Sequence, residues 1–338
     1  MAQVRMTPTN FLIMSGRFPH KCLPRVFANS SDAIDTHNLE SSALGPLPST
    51  DVLLHCGDLT QVGGVSSFRK ALKLLGSIEA ELKLVIPGNH DLELDREFWR
   101  SQRDEDGEPE DPQDHEQAIA TMTGSLAREA EVTMLNEGVH CFQLRSGASF
   151  NIYVSPYTPA FCDWAFTYEH DNDRFNSQCD VAEGVTSIAT NPIPSDVGLD
   201  IVMTHGPPKD VLDGCPRGNV GCRNLLTAIQ RVKPRLHCFG HIHEGYGAKM
   251  LNWEHDEDKS DVLSESLPNA HPGPVRNTYP QVMATKPSRG IQTLAVNAAI
   301  MNGQNQPTNR PWLLSLELAN GDCSRSRKNV ADRANLRD

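Results

Sequence analysis

The chain lacks any apolar run long enough to cross a membrane. Residues 11–14 form one short apolar stretch near its start, without the long apolar core and small-residue cleavage site of a secretory signal. Of the 338 residues, 38% are hydrophobic, which is enough for the core of one large α/β domain with insertions. We therefore expect a cytoplasmic protein without a membrane partner. The sequence does not indicate an oligomeric state.

Paired cysteine motifs are also missing. The nine cysteines are scattered, their number is odd, and no Cys-x-x-Cys pair occurs. Cys56 and Cys238 lie in apolar runs, where cysteine usually serves as a small hydrophobic side chain. This pattern favours reduced thiols, as found in the cytosol, over a disulfide framework.

Positive charge is scarce. Lysine and arginine number 31 against 43 acidic residues, so the net charge is −12. Such a surface repels polyanions, which argues against a protein that coats nucleic acid. An acidic protein that handles a small phosphate ester needs local positive charge, and bound metal ions could supply it.

Apolar runs typical of buried strands alternate with segments of helical period. Predicted strands cover residues 11–14, 51–56, 82–86, 150–154, 199–203, 236–239, 294–297 and 312–318, and predicted helices cover residues 65–75 and 225–232. This alternation predicts an α/β fold.

Four short polar patches each follow one of these strands: Gly57-Asp58, Gly88-Asn89-His90-Asp91, His205-Gly206 and Gly240-His241-Ile242-His243. In α/β sheets, ligands bind at the carboxyl ends of strands, and neighbouring strand ends lie about 5 Å apart. The glycines allow the backbone to turn sharply beside the site. We therefore expect the four patches to converge on one centre, joined by a fifth, Asp35-Thr36-His37.

The side chains in these patches are ligands for divalent transition metals. The candidate ligands are Asp35, His37, Asp58, Asn89, His205, His241 and His243. Carboxylate and amide oxygens together with imidazole nitrogens suit Mn²⁺, Fe or Zn²⁺, and the sequence does not choose among them. Side chains two residues apart on an extended segment point to the same face, so Asp35 and His37 can reach one ion. His241 and His243 could serve two ions through a turn, or one ion from a strand.

Two ions would also explain the remaining polar residues. Asp58 can bridge both ions through its two oxygens, and ions roughly 3.5–4 Å apart can share a hydroxide and hold the phosphate oxygens. His90 is then free to act as a general acid, with Asp91 orienting its ring.

In this order, the patches resemble the signature of the calcineurin-like metallophosphoesterase superfamily: Asp-x-His, Gly-Asp, Gly-Asn-His-Asp/Glu, a lone His, and Gly-His-x-His. The resemblance extends over residues 9–320 as a single domain. Further phrases are similar to the metallophosphoesterase-domain-containing, cyclic-nucleotide phosphodiesterase-like subfamily. They are Ser155-Pro156-Tyr157-Thr158-Pro159, Asp163-Trp164-Ala165-Phe166, Thr204-His205-Gly206-Pro207-Pro208, Gly240–Gly247 and Val296–Ala299.

The resemblance implies a four-layer α/β/β/α sandwich with two mixed β-sheets. It implies one metal held by Asp35, His37, Asp58 and His243, and a second held by Asp58, Asn89, His205 and His241. It also implies a proton donor at His90 and hydrolysis of small phosphodiesters, with cyclic nucleotides among the candidate substrates. Leu-Thr-Gln follows Gly57-Asp58, in place of the Asp-Arg-Gly of protein serine/threonine phosphatases, which argues against a phosphoprotein substrate.

The first motif is interrupted. In the family the first strand runs directly into Ser-Asp-x-His, whereas here residues 16–34 separate Ser15 from Asp35. Two hypotheses remain open: a genuine loop insertion, or the translation of a retained intron, since the codons permit a splice donor at Gly16-Arg17 and an acceptor at Ile34-Asp35. Two outcomes for the site also remain open, because a loop could bulge outward and return Asp35 and His37, or the first metal site could be weakened.

Three other segments depart from the strand and helix pattern. Residues 103–116 predict an acidic surface loop, residues 255–290 a polar, proline-rich insertion, and residues 321–338 a charged, disordered tail. The expected function is metal-dependent hydrolysis of a phosphoester. The alternative is a catalytically weak nucleotide- or metal-binding scaffold with a disrupted first metal site.

Overall fold

The computed structural model describes residues 5–16, 47–104, 106–182, 184–253, 263–266, 281–282 and 287–321. Candidate ligands Asp35 and His37 lie outside the described residues, as does most of segment 16–34. The same holds for the predicted tail after Gly321.

A six-stranded and a seven-stranded sheet form the framework. Their strands are β1 Met6–Met14, β2 Thr50–Cys56, β3 Ala80–Ile86, β4 Val132–Met134, β5 Gly138–Gln143, β6 Ser149–Ser155, β7 Ile201–Thr204, β8 Leu236–Phe239, β9 Gly247–Asn252, β10 Leu263–Ser266, β11 Gln281–Val282, β12 Gln292–Asn297 and β13 Trp312–Ala319.

Both sheets are mixed. The first has the order β11-β13-β1-β2-β3-β4, in which only the β13–β1 pair is antiparallel. The second has the order β10-β9-β12-β8-β7-β6-β5, with a parallel centre from β12 to β6 and antiparallel strands at both margins. The parallel strands carry their carboxyl ends to a common edge of each sheet.

Five α-helices accompany the sheets in the described part of the chain. They are α1 Val65–Gly76, α2 Arg96–Ser101, α3 Pro112–Thr123, α4 Ser125–Glu129 and α5 Arg223–Val232, and two short 3-10 helices cover Leu92–Leu94 and His243–Gly245.

The layers arise because successive side chains along the central strands point to opposite faces of the sheet. Val52, Leu54 and Cys56 of β2 enter the core between the two sheets, which also contains Ile152 and Val154 of β6. Because parallel strands of this kind are covered on both faces, they read as continuous apolar runs rather than as alternating ones.

The opposite faces of the two sheets carry the helices. Leu53 of β2 packs with α1 residues Phe68 and Leu72, and α3 and α4 contribute to the same cluster. Val202 of β7 packs with Leu225 and other residues of α5 on the outer face of the second sheet. The predicted four-layer α/β/β/α sandwich with two mixed sheets is therefore confirmed.

Two of the predicted insertions contain regular structure. Within the acidic segment 103–116, α3 begins at Pro112 and the Asp111 side chain accepts a hydrogen bond from the Gln113 backbone N–H, a helix cap. The predicted loop is thus too long at its carboxyl end. The insertion 255–290 supplies β10 and β11, each an outermost strand of one sheet.

The cysteines differ in part from the expectation of reduced thiols. Cys141 on β5 is disulfide-bonded. Cys56, Cys162, Cys179, Cys215, Cys222 and Cys238 are free. No helix in the described ranges has the length and apolarity needed to span a membrane.

Candidate metal centre

The carboxyl ends of the parallel strands from both sheets meet at one edge of the sandwich. Ser15, just after β1, donates its N–H to Ala298 O at 2.9 Å and accepts from Ile300 N–H at 2.8 Å, beyond the end of β12. In the second sheet, Gly240 N–H donates to His205 O at 2.9 Å. These bonds fix the loops that carry the sequence patches next to one another.

Tight turns bring the patches inward. Gly57 and Asp58 both have positive φ, 98° and 59°. A Cβ added to Gly57 would lie 2.4 Å from His205 Nδ1, and one added to Gly88 would lie 2.4 Å from Asp58 Oδ1. Both glycines are therefore required by close approach within the site, and Gly57 also by its positive φ.

Asp58, Asn89 and His205 converge. His205 Nε2 lies 2.9 Å from Asn89 Oδ1 and 3.3 Å from Asp58 Oδ1. All three side chains are buried, with 0–3% of each residue exposed. The contact joins β2 and β3 of the first sheet to β7 of the second.

The hydrogen bonding of the His205 ring determines which ring nitrogen faces Asp58 and Asn89. Its Nδ1 lies 2.8 Å from Cys56 O, so the ring nitrogen must donate there. In the neutral ring, Nε2 then carries a lone pair directed at two side-chain oxygens. Three electron-pair donors that face one another suit a cation, and a backbone acceptor on the far ring nitrogen is the usual support of a metal-binding histidine. The residues present therefore fit a metal ion.

His241 and His243 lie beside this group on the loop after β8. The His241 ring centroid is 4.9 Å from that of His205. Burial, together with the nearby His205, lowers the pKa of His241 to about 3, so the ring is neutral and able to bind a metal. His243 begins a 3-10 helix, and its charge also acts on His241.

The loop after β8 is held in place by Asn297, at the end of β12. The Asn297 amide donates to Ile242 O at 2.8 Å and to Leu212 O at 3.0 Å. Across the loop, a Cβ on Gly240 would lie 2.0 Å from Ser15 Oγ, so the loop rests directly on the end of β1.

The centre is incomplete within the described ranges. There, no group of three or more His, Cys, Asp and Glu side chains is close enough together to hold a metal. The set that does meet is Asp58 and His205 with the amide of Asn89. Of the seven predicted ligands, three converge, His241 adjoins them, His243 occupies the next turn, and Asp35 and His37 lie outside the described residues.

Asp58 remains ionised despite its burial. Burial by itself raises the pKa of this carboxyl, but electrostatic interactions with His205, His90 and His241 and a hydrogen bond from His90 N–H bring it well below its usual value. A buried anion among histidines is the electrostatic setting that a cation site requires.

His90 lies at the exposed margin of the group. Its Nδ1 is 2.7 Å from Gln61 O, and its backbone N–H donates to Asp58 Oδ1 at 3.1 Å. The ring packs against Trp164 with 4.1 Å between centroids. Because the Gln61 carbonyl holds the Nδ1 proton, Nε2 is the nitrogen that can exchange a proton with a substrate.

The predicted role of Asp91 as the residue that orients the His90 ring is wrong. Both Asp91 oxygens are occupied by backbone N–H groups of Leu59, Thr60 and Gly88, at 2.8–3.0 Å, and Oδ1 also accepts from the Thr60 hydroxyl. The carboxyl thus fixes the loop after β2 to the loop after β3. Burial, together with the charge of Asp58, raises the pKa of Asp91 to about 7.

Two partners of His90 were not identified as site residues from the sequence. Trp164 stands in a phrase typical of the subfamily, so its position in the site had a sequence signal. Gln61 acts through its backbone carbonyl, which is independent of side-chain identity and leaves no such signal.

The family model described as calcineurin-like phosphoesterase matches residues 31–245. This range is more than half of the chain and contains all the candidate site residues. The chain therefore belongs to the calcineurin-like phosphoesterase family, in agreement with its two mixed sheets and the centre at their common edge.

The chain is also similar in sequence to individual proteins. Metallophosphoesterase domain-containing protein 1 of Homo sapiens is 35% identical over 223 residues, which cover 63% of this chain and 60% of that protein. A Caenorhabditis elegans UPF0046 protein is 31% identical over 225 residues, 63% of this chain and 50% of its own length. The probable rhamnogalacturonate lyase C of Emericella nidulans is 32% identical over 65% of this chain but 17% of its own. The chain thus spans about 60% or less of these relatives.

Proposed function

We propose that this chain is a metal-dependent phosphoester hydrolase that acts on phosphodiesters at a dinuclear metal centre. One observation carries the proposal: His205 Nε2, Asp58 Oδ1 and Asn89 Oδ1 converge in a buried group, with His90 beside it. Membership in the calcineurin-like phosphoesterase family supports the reaction class.

Each ion has its own candidate ligands. Asp58, Asn89, His205 and His241 would hold one ion, and Asp35, His37, Asp58 and His243 the other. This mixed set of oxygen and nitrogen donors fits Mn²⁺, Fe or Zn²⁺. When bound, the ions would supply positive charge to the phosphate oxygens and lower the pKa of a bound water.

The side chains of the protein would position the substrate phosphate and protonate the leaving group. Asp58, ionised in its buried setting, would fix the phosphate-binding edge between β2 and β7. His90 would donate the Nε2 proton to the departing alkoxide, since its Nδ1 proton is held by Gln61 O. Trp164 would limit rotation of the ring by packing against it.

The substrate class is a small phosphoester, with cyclic nucleotides as candidates. The relative with the highest identity given above carries a name that describes a metallophosphoesterase domain, without a named substrate. The negative net charge disfavours nucleic acid as a bound partner. A cytoplasmic location remains part of the proposal.

A second function is favoured by one observation. Gly16 N–H donates to Gly57 O at 3.0 Å, so the end of β1 already lies at the site, yet Asp35 follows only after the inserted segment. If Asp35 and His37 do not return, the chain would hold one ion and act as a weak nucleotide- or metal-binding scaffold.

A two-substrate assay separates the two functions. Metal-free protein is supplied with Mn²⁺, and turnover of bis(4-nitrophenyl) phosphate is compared with that of 4-nitrophenyl phosphate. The hydrolase proposal expects metal-dependent turnover that is faster for the diester. Binding of one ion without turnover of either ester would contradict it and favour the scaffold. Preference for the monoester would contradict the diester assignment alone.

A further inference from the structure

Two loops, one anchored beside His90 and the other beside His243, meet at their tips. One is residues 156–166, which follow β6. The other is a short hairpin, residues 213–220, inserted between His205 and α5. Their tips touch where the Arg217 guanidinium carbon lies 4.2 Å from the centroid of the Phe161 ring. We refer to these two loops and their contact as the arch.

The first loop is anchored on the His90 side of the site. Trp164 packs against the His90 ring, and Ala165 N–H donates to Asn89 O at 3.2 Å. The loop is closed at its base by Thr158 N–H, which donates to Phe166 O at 2.9 Å. Phe161 therefore stands three residues from the side chain that covers the candidate proton donor.

The hairpin is anchored on the His243 side. Its first strand, Gly214–Cys215, packs against the 3-10 helix His243–Gly245. A Cβ on Gly245 would lie 2.0 Å from Leu212 O, so the contact leaves no room between the two backbones. Asp213 supports the turn by accepting from Gly221 N–H at 2.8 Å. The arch thus links the two sides of the centre.

Both residues at the tip are exposed. Phe161 has 45% of its surface accessible, and Arg217 is exposed as well. An accessible aromatic ring with a guanidinium above it offers a flat apolar face and a positive charge. In a chain of net charge −12, an arginine at this position would locally favour an anionic ester.

We propose that Phe161 and Arg217 select phosphodiesters whose leaving group is a flat aromatic ring, through the contact between them at the rim of the centre. The inference rests on the proposed function. In the proposed reaction the leaving group departs beside His90, and Phe161 stands three residues before Trp164, which packs against the His90 ring. An aromatic leaving group would stack against Phe161, while Arg217 would attract the phosphodiester anion.

Matched substrates test the stacking. Full-length protein is assayed with 4-nitrophenyl ethyl phosphate and with 2,2,2-trifluoroethyl ethyl phosphate, with the second product followed by fluorine NMR. Phe161→Leu keeps the apolar volume but removes the flat face, so kcat/KM for the aryl ester should fall about five- to tenfold, mainly through KM. The same variant should change kcat/KM for the fluoroalkyl ester less than about twofold.

The charge is tested separately. Arg217→Gln should lower kcat/KM for both esters about three- to fivefold at low ionic strength, and the difference should vanish near 0.5 M salt because surface charges are then screened. Leu126→Ala and Arg100→Gln, exposed residues on α4 and α2, are the matched controls and should change neither substrate. Equal losses on both esters in Phe161→Leu, or no loss, would overturn the inference while leaving hydrolysis intact.

A binding measurement covers the case of an inactive protein. Calorimetry with Mn²⁺-loaded protein compares phenyl methylphosphonate with ethyl methylphosphonate. The inference expects several-fold tighter binding of the phenyl compound, a preference that Phe161→Leu removes. Absence of turnover with this preference intact would refute the proposed function alone, whereas equal affinities in the unmodified chain would refute the arch as a selective element.

Discussion

Strands of the first sheet end in two different ways. The loops after β2 and β3 place Asp58 and Asn89 immediately beyond the strand, and they are tied together by hydrogen bonds between the loops. The chain after β1 instead continues from Gly16 into the inserted segment and returns to a candidate ligand only at Asp35. One part of the centre is thus built by neighbouring residues, whereas the other depends on a distant segment.

The comparison shows how carboxylates stabilise the loops after β2 and β3. Asp91 binds backbone N–H groups on both loops, and Glu93 accepts from Gly64 N–H at 2.7 Å. Both Asp91 oxygens are thus occupied, and Glu93 uses its Oε1 for this bond. Ligand positions here are fixed by backbone hydrogen bonds in a buried setting, an arrangement in which small displacements leave polar groups unsatisfied.

The largest effect is expected at Asp58, which both ions would share in the proposed centre. Asp58→Ala should lower kcat/KM for an aryl phosphodiester roughly a thousandfold, because it removes a ligand from each ion. Steady-state kinetics with saturating Mn²⁺ measure the loss, and Asp106→Ala in the exposed acidic loop is the control. If Asp58→Ala keeps more than about one tenth of the activity of the unmodified protein, Asp58 is not an essential metal ligand.

His90 and Asp91 should separate into a chemical and a structural role. His90→Gln should lower kcat about a hundredfold or more with little change in the melting temperature, because it removes the proton donor. Asp91→Asn should instead lower the free energy of unfolding by about 1–3 kcal/mol, because buried N–H groups lose their acceptor. Kinetics paired with thermal unfolding distinguish them. Unchanged stability in Asp91→Asn would contradict the structural role.

Deletion of residues 16–34 should give β1 a short loop that places its candidate ligand directly after the strand, as the loops after β2 and β3 do. Ser15 then precedes Asp35 directly, and affinity for the more weakly held Mn²⁺ ion should rise about tenfold as the loop-closure cost is removed. Metal content per chain at limiting Mn²⁺ measures the change. The same affinity in both proteins would show that Asp35 and His37 already reach the centre.

Transcript sequencing addresses the origin of the segment. A mature message that lacks the codons for residues 16–34 would support the retained intron. If every mature message contains them, the segment is a genuine loop insertion.

The smallest effect is expected at Glu93. Burial raises the pKa of this carboxyl, so the folded protein binds its proton more tightly than the unfolded chain does. Stability from this group is therefore present at low pH and is lost as the pH rises through the folded pKa. Glu93→Gln should be more stable than the parent at pH 8, by less than about 1 kcal/mol, with the difference shrinking towards pH 4. Chemical denaturation at both values measures it, and a constant difference would contradict the titration.

Much of the fold was predictable because its central strands are buried on both faces. The runs that became β2, β3, β7 and β8 were recognisable from their length and apolarity, and the candidate ligands Asp58, Asn89, His205 and His241 follow them. The edge strands β4 and β5 and the inner strand β9 were missed. β4 has 3 residues and β5 is only partly buried, whereas in β9 the polar Lys249 interrupts the apolar residues.

The ligand types were predictable, whereas their supports were not. Aspartate, asparagine and histidine beside glycine can be recognised as candidate metal ligands from the sequence alone. The acceptor of the His90 ring is the backbone carbonyl of Gln61, and the donors to Asp91 are backbone N–H groups. Such contacts depend on how two loops meet in space. For the same reason, the Asp91 side chain was given the wrong partner.

The insertion 255–290 has a consequence for solubility. Its strands β10 and β11 occupy the outer margin of one sheet each, where the next backbone would otherwise present unpaired N–H and C=O groups. An exposed sheet edge of this kind can pair with the edge strand of another molecule and so promote aggregation. Trimming the insertion to shorten the protein would therefore expose β9 and β13, and we expect the product to aggregate through its sheet edges.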